Sequence, residues 1–277
     1  MALEWLDAPG WSIEETDSGL LTLHLTCGLI LPMASAAKLQ GKVAMITGAS
    51  RGIGLAIARA LAREGCSVIV TGRDPKALRS AERAIKKSTR AHGPQIHSCI
   101  CDVREPDAVG TLVSTIKKNF RRLDIVINNA GISHAQAEVE RLPLAAWRAV
   151  IETDLTGMFV VTQAALPLLR RGGAIVNNLS IAATRVFAGQ SAYCAAKHGA
   201  LGFTRTLREE LRPRGIRVIA LMPGATDTEI WNQFWPDAPR ARMLRPETIA
   251  QAVLDALLLP HESTVEEITL MPTAGAL

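Results

Sequence analysis

The fold is decided by the stretch Val43-Ala-Met-Ile-Thr-Gly-Ala-Ser-Arg-Gly-Ile-Gly54. Its apolar first half predicts a short strand buried on both faces, and its glycines end that strand. Apolar residues then recur at helical spacing as far as Gly65, a favourable position for a helix end. Strand, glycine turn and helix together predict a phosphate-binding loop, in which the backbone approaches a pyrophosphate at a helix N-terminus. The predicted cofactor contacts in this loop are Gly48, Ser50, Arg51, Gly52, Ile53 and Gly54.

Outward from this stretch, strands and helices alternate with short connections. Six more strands are predicted, at 67–71, 95–101, 123–127, 174–179, 216–221 and 266–271. Helices are predicted between them, including one that starts near Pro106 and a helical region from Pro143 to Arg170. This order predicts an α/β fold, a single doubly wound Rossmann-type domain over residues 39–277. Its parallel sheet would have about seven strands, with helices on both faces.

Residues 1–38 differ from the rest of the chain. The first 32 residues hold five acidic side chains and no Lys or Arg, and Met33 has the appearance of a second start. We expect an N-terminal extension that is poorly ordered or a start-site artefact. The apolar stretch 20–31 is too short for a membrane span, and its acidic flank does not suit a secretory or mitochondrial signal.

Composition narrows the function classes. The 277 residues carry a net charge of +5 with basic residues dispersed, so no nucleic-acid partner and no membrane partner is predicted. The five cysteines have no metal-type spacing with histidine, so we predict no metal site. We interpret them as free thiols in a reducing compartment, which favours a cytoplasmic location.

The chemistry centres on Tyr193, the only tyrosine, and on Lys197 four residues later. On a helix this spacing places both side chains on one face, where an ammonium lowers the pKa of a phenol. Such a phenol can exchange a proton with a carbonyl or alcohol oxygen. Ser180 ends a predicted strand and could hydrogen-bond the same oxygen. Taken alone, Tyr193 and Lys197 could be a chance pair on a helix, but the glycine loop upstream favours catalysis.

With these motifs placed, the chain resembles the short-chain dehydrogenase/reductase family and is similar to its 3-oxoacyl-[acyl-carrier-protein] reductase type. The motifs are Thr47-Gly48-x-x-x-Gly52-x-Gly54, Asn128-Asn129-Ala130-Gly131, Ser180, Tyr193-x-x-x-Lys197 and Pro223-Gly224. The resemblance implies that Tyr193 is the general acid/base, that Lys197 lowers its pKa and binds the nicotinamide ribose, and that Ser180 orients the substrate carbonyl. It also implies a homotetramer or homodimer, assembled through the helices around 144–170 and 190–212.

One residue departs from the family pattern. The family usually has an asparagine as a fourth catalytic member, where it holds a water that relays protons to the lysine. Asp154 stands at that position here. An ionised carboxylate accepts hydrogen bonds but donates none, and its charge tends to raise the pKa of Lys197. We expect a modified but active relay.

The cofactor is predicted to be NADP(H) rather than NAD(H). An NAD enzyme of this fold has an acidic residue at the end of the second strand, where this chain has Gly72 followed by Arg73. Arg51 and Arg73 together suit a 2′-phosphate, although both could be ordinary solvated arginines, and Asp74 could start the next helix. The resemblance assigns further cofactor contacts to Asp102, Val103, Asn129, Ala130, Gly131, Tyr193, Lys197, Pro223, Gly224, Thr226 and Thr228.

These observations predict an oxidoreductase that passes a hydride between nicotinamide and a ketone or secondary alcohol. Carbonyl reduction of a 3-oxoacyl-like or small ketone is the leading hypothesis. The alternatives are an alcohol dehydrogenase for steroid-like or sugar alcohols and a nicotinamide-binding sensor without turnover. Residues 225–245, with three aromatic side chains, are predicted to form a substrate lid, although an interface or ordinary core is the alternative. His134 is expected to be exposed on its loop.

Overall fold

The computed structural model describes residues 11–15, 21–25, 38–89 and 93–275. The chain divides into two compact units, Met1–Ala36 and Ala37–Leu277. In the first unit, β1 (Trp11–Glu15) pairs antiparallel with β2 (Leu21–Leu25), a pairing that the sequence did not predict. Cys27 and the second start at Met33 lie outside the described residues, and the extension stays a prediction.

The second unit holds a parallel sheet of seven strands, as predicted. Its order is β5-β4-β3-β6-β7-β8-β9, so the strand order reverses between β3 and β6. Ligands of such sheets bind outside the carboxyl ends of the strands at that reversal. The strands are β3 (Val43–Ile46), β4 (Ser67–Gly72), β5 (Ile96–Ile100), β6 (Leu123–Asn128), β7 (Leu169–Asn178), β8 (Arg217–Pro223) and β9 (Glu267–Leu270).

Helices connect the strands. They are α1 (Gly52–Arg63), α2 (Pro75–Lys87), α3 (Pro106–Phe120), α4 (Leu144–Ile151), α5 (Gly157–Ala165), α6 (Ser191–Leu211), α7 (Trp231–Phe234) and α8 (Pro246–Leu258). Within the described ranges, no helix has the length and apolar character needed to cross a membrane.

The two faces of the sheet form separate cores because successive side chains of a strand point to opposite sides. On β3, Ala44 and Ile46 join the core beneath α1 and α8. Val43 and Met45 join the opposite core, together with side chains of α3 and α6. Burial on both faces explains why the sequence of β3 is a continuous apolar run.

The predicted helical region from Pro143 to Arg170 is interrupted. A π-helical turn, Glu152–Thr156, separates α4 from α5, and the region ends at Ala165. Such turns insert one residue into an α-helix and occur often at functional sites. Asp154 is the central residue of this turn.

Candidate active site

The glycine loop packs directly against the end of β6. Gly48 has φ +61°, and a Cβ atom there would lie 2.7 Å from the Cα of Ala130. A Cβ atom on Gly54 would lie 2.8 Å from the carbonyl oxygen of Gly48. Only glycine allows both approaches, which keep the loop backbone open toward the crevice.

The N-terminus of α1 is suited to an anion. Arg51 precedes the helix in an extended conformation, no side chain caps the helix, and its first turn contains no acidic residue. The first backbone N–H groups of α1 therefore have no side-chain acceptor, and the helix dipole favours a negative charge there. This chemistry fits the pyrophosphate of a dinucleotide.

Arg51 and Arg73 are the predicted contacts of a ribose 2′-phosphate. Gly72, which ends β4, lies beside the Ser50 hydroxyl, since a Cβ atom on Gly72 would be 3.6 Å from that oxygen. Arg73 follows it and is exposed, whereas the Arg51 guanidinium forms an ion pair with Glu229 that the sequence did not predict. Asp74 caps α2 by accepting hydrogen bonds from its first turn, which confirms that it starts the helix.

The predicted adenine contacts are held by neighbouring groups. Arg104 donates hydrogen bonds to the Asp102 carboxylate at 2.6 to 3.1 Å and lowers the pKa of Asp102. Asp102 is therefore ionised and can only accept from a ligand. Val103 is 5% exposed and packs against Gly157. A Cβ atom on Gly157 would lie 2.7 Å from the Val103 Cγ2.

The segment Asn129-Ala130-Gly131 is fixed by Thr47 at the end of the first strand of the sheet. The Thr47 hydroxyl accepts hydrogen bonds from the backbone N–H groups of Asn129 at 2.9 Å and Ala130 at 3.0 Å. The Asn129 amide donates to the carbonyl oxygens of Thr47 and Gly48, and it accepts from Asn178 at 2.8 Å. The glycine loop and the end of β6 are thus one hydrogen-bonded unit.

Behind that unit lies a buried chain of amides that sequence reasoning missed. Asn128 donates to Thr162 at 2.9 Å and to the Asn177 side-chain oxygen at 2.8 Å. Asn177 in turn donates to the Thr204 hydroxyl at 2.9 Å. The chain connects β6 and β7 to α5 and α6. Asparagines in an otherwise apolar strand are the signal that could have revealed it.

Ser180, Tyr193 and Lys197 come together as predicted, beyond the carboxyl end of β7. Ser180 accepts a hydrogen bond from the backbone N–H of Ala182 at 3.1 Å, and its hydroxyl lies near enough to Tyr193 to lower the pKa of the phenol. The Lys197 Nζ lies 5.4 Å from the centroid of the Tyr193 ring. The arrangement can hold a carbonyl oxygen between two hydroxyl groups, beside a buried cation.

A family model described as short chain dehydrogenase matches residues 42–239. The chain belongs to the short-chain dehydrogenase family. It is therefore an oxidoreductase, and its likeness to the 3-oxoacyl-[acyl-carrier-protein] reductase type is confirmed by its relatives.

Three relatives of this short-chain dehydrogenase show how far the likeness extends. A 3-oxoacyl-[acyl-carrier-protein] reductase of Synechocystis is 36% identical over 222 residues, covering 78% of this chain and 88% of the relative. An uncharacterized oxidoreductase of Staphylococcus saprophyticus is 35% identical over 237 residues, covering 85% of this chain and 99% of the relative. A short chain dehydrogenase from Burkholderia cenocepacia, solved in complex with NADP, is 33% identical with a TM-score of 0.76, covering 86% of this chain and 99% of that one.

In this short-chain dehydrogenase, the position usually held by asparagine is a buried carboxylate. Asp154 is fully buried, and one of its oxygens lies 3.1 Å from the Lys197 Nζ. Its other oxygen accepts a hydrogen bond from the backbone N–H of Ile132 at 2.8 Å. Lys197 also donates to the Asn178 carbonyl oxygen at 3.3 Å.

The predicted lid, residues 225–245, follows Pro223, the last residue of β8, and Gly224. Gly224 leaves no room for a side chain, because a Cβ atom would lie 2.8 Å from the Met271 sulfur. Thr226 is buried, and its hydroxyl donates to the Gly224 carbonyl oxygen. Thr228 lies against Gly52, because a Cβ atom on Gly52 would be 3.2 Å from the Thr228 Cγ2. Thr228 therefore brings the segment 225–245 against the glycine loop.

The aromatic and histidine side chains near the lid differ from expectation in one respect. Trp231 donates its indole N–H to the Thr226 carbonyl oxygen and packs near Trp235, which is exposed. The side chain of Phe234 lies outside the described residues. The expectation of an exposed His134 is wrong: it is 4% exposed, and Gln190, which precedes α6, donates a hydrogen bond to its backbone carbonyl oxygen.

Proposed function

We propose that this chain reduces a ketone carbonyl with NADPH and that Tyr193 is the proton donor. The observation that carries the proposal is the meeting of Tyr193 and Ser180 beside the buried Lys197, outside the carboxyl ends of the sheet strands. A phenol and a hydroxyl directed at one position suit an oxygen atom that gains negative charge during the reaction.

Each side chain has a separate task in this proposal. Ser180 donates a hydrogen bond to the substrate carbonyl oxygen, because its own oxygen already accepts from the backbone N–H of Ala182. Tyr193 transfers its phenolic proton to that oxygen as the carbonyl becomes an alcohol. Lys197 supplies positive charge next to the phenolate that remains. The bound nicotinamide supplies the hydride, so the chain contributes binding, orientation and the proton.

The preference for NADPH rests on the basic side chains at the edge of the crevice. Arg73 follows Gly72 at the end of β4, where an NAD enzyme of this fold has an acidic residue. Asp74 is not free to act as the acidic residue that binds the ribose in an NAD enzyme, because its carboxylate caps α2. The Burkholderia relative was solved with NADP, which supports the same choice.

The substrate is proposed to be a 3-oxoacyl thioester or a small ketone. The named activity of the Synechocystis relative supports the first. An alcohol dehydrogenase that oxidises steroid-like or sugar alcohols stays the alternative, since the same side chains serve both directions. A homotetramer or homodimer and a cytoplasmic location also stay predictions. Exposed Leu144 on α4 and Phe159 on α5 are consistent with assembly through those helices.

The experiment is NADPH oxidation with a panel of ketones, diketones and 3-oxoacyl thioesters, compared with the Tyr193→Phe variant. Loss of the phenolic proton should lower turnover by about 10²-fold to 10⁴-fold while NADPH binding is retained. The matched control is Thr184→Val, which removes an exposed hydroxyl just after Ser180. Turnover that survives in Tyr193→Phe would refute the assignment. Tight NADPH binding without turnover of any ketone or alcohol would favour the sensor.

A further inference from the structure

The buried ion pair of Asp154 and Lys197 gives the active site an unusual charge balance. Both side chains are almost completely inaccessible, at 0% and 4% of their side-chain area. One carboxylate oxygen forms an ion pair with the Lys197 ammonium, and the other accepts a hydrogen bond from the Ile132 N–H. Burial raises the pKa of Asp154, and the Lys197 ammonium and the Ile132 N–H lower it in part.

The carboxylate changes what Lys197 does to its neighbour. Burial disfavours the charge of Lys197, but Asp154 and Tyr193 together outweigh burial and raise the pKa of Lys197. A lysine without this partner would be a net positive charge beside Tyr193. With the partner, a negative charge lies 3.1 Å from the ammonium and offsets part of its effect on the phenol.

The groups that act on Tyr193 come from three elements. Burial raises the pKa of Tyr193, Lys197 on the same helix lowers it, and Asp154 on the π-helical turn raises it. The nearby Ser180 hydroxyl after β7 lowers it, and the adjacent Cys194 raises it. The net effect is a raised pKa, whereas the sequence motif alone predicted a lowered one.

We propose that Asp154 is a positioning residue that neutralises the Lys197 ammonium, keeps Tyr193 an uncharged phenol in the resting site, and so extends carbonyl reduction to more alkaline pH. The proposal rests on the proposed function for its kinetic consequence only. A general acid must carry its proton at the start of each turnover, so a site that holds the phenol uncharged stays competent for reduction as pH rises. An asparagine at position 154 would have the same shape but would leave the ammonium uncompensated.

Tyr193 can be titrated directly, because it is the only tyrosine in the chain. Tyrosinate formation is followed by ultraviolet difference absorption in the cofactor-free protein, with circular dichroism recorded at each pH to show that the fold is intact. The variant is Asp154→Asn. The matched control is Glu152→Gln, which removes a carboxylate from the same π-helical turn but at an exposed position. Asp154→Ser is a second neutral variant, in case the asparagine variant does not fold.

We expect the wild-type phenol to stay uncharged up to about pH 10, the ordinary pKa of tyrosine, or until the fold is lost. Asp154→Asn or Asp154→Ser should lower the titration midpoint by about one pH unit or more, and Glu152→Gln should leave it unchanged. Wild-type tyrosinate that forms near neutral pH would overturn the proposal. Equal midpoints for the wild type and both neutral variants would also overturn it.

Kinetics supply the second readout. In the Asp154→Asn variant, the alkaline limb of the pH profile of kcat for NADPH-dependent reduction should move to lower pH, in the same direction as the titration midpoint. A fall in kcat that is equal at every pH would show a merely structural role and would contradict the proposal. If no ketone is reduced, the proposed function fails, while the titration still decides the role of Asp154.

Discussion

The ion pair between Arg51 and Glu229 leads to a prediction about cofactor affinity. Arg51 is predicted to bind the cofactor 2′-phosphate, but its guanidinium is already paired with the carboxylate of Glu229, in the segment predicted to form a lid. A 2′-phosphate must therefore compete with Glu229 for the same donor. The perturbation is Glu229→Gln, which keeps the size of the side chain and removes its charge. We expect NADPH to bind more tightly to this variant.

The size of the effect follows from exposure. The side chains of Arg51 and Glu229 are 66% and 58% exposed, so solvent screens their attraction. Exposed ion pairs contribute about 0.2–1 kcal/mol, and releasing Arg51 from such a pair should lower the Kd of NADPH about 1.4-fold to 5-fold. The difference should shrink as salt is added, because the Debye length falls to about 8 Å at physiological ionic strength.

The assay is a fluorescence titration of NADPH at low and physiological salt, with NADH as the ligand that lacks the phosphate. Glu247→Gln is the control variant, because Glu247 is an exposed carboxylate that lines the same cleft as Glu229. We expect the NADH affinity and the control variant to be unchanged. Weaker NADPH binding by Glu229→Gln would show that Glu229 orients Arg51 instead of competing for it, and the reasoning would be refuted.

Three further predictions concern the cofactor edge, the buried amides and the thiols. Arg73→Ala should weaken NADPH binding far more than NADH binding. The control is Arg79→Ala, which removes an exposed arginine on the next helix and should change neither affinity. Equal losses of affinity for the two cofactors in Arg73→Ala would contradict the NADP assignment. Asn177→Leu leaves Asn128 and a buried threonine short of partners and should lower the free energy of unfolding by about 2–4 kcal/mol in a urea titration. Burial raises the pKa of the Cys66 thiol well above its usual range, so the folded protein keeps this thiol protonated. The unfolded chain loses the same proton above about pH 8.5, so the free energy of unfolding should fall progressively above that pH. Urea titrations at pH 7 and at higher pH should show that the free energy of unfolding declines with pH, and that it declines less in Cys66→Ala. An identical decline in the variant would exclude Cys66 as a source.

The sequence predicted the sheet well because buried parallel strands carry a strong local signal. The run at Val43 and the asparagines after β6 lie where the pattern indicated, and Tyr193 and Lys197 face the same site. The π-helical turn was not predictable from periodicity, because inserting one residue shifts the helical pattern only slightly. The pairing of Arg51 with Glu229 joins positions far apart in the chain, and no local pattern encodes such a contact. The hairpin of β1 and β2 was missed because its strands lie in a stretch whose composition differs from that of the sheet domain.

The close packing of Gly157 on Val103 has a consequence for redesign of cofactor preference. Val103 borders the predicted adenine site, and Gly157 follows the π-helical turn that carries Asp154. With a Cβ atom at position 157 only 2.7 Å from the valine methyl group, neither residue has room to grow alone. A larger side chain at position 103, introduced to change how adenine is held, would push on the turn that sets the charge next to Lys197. Selectivity at one end of the cofactor and proton transfer at the other are therefore expected to evolve together in this protein.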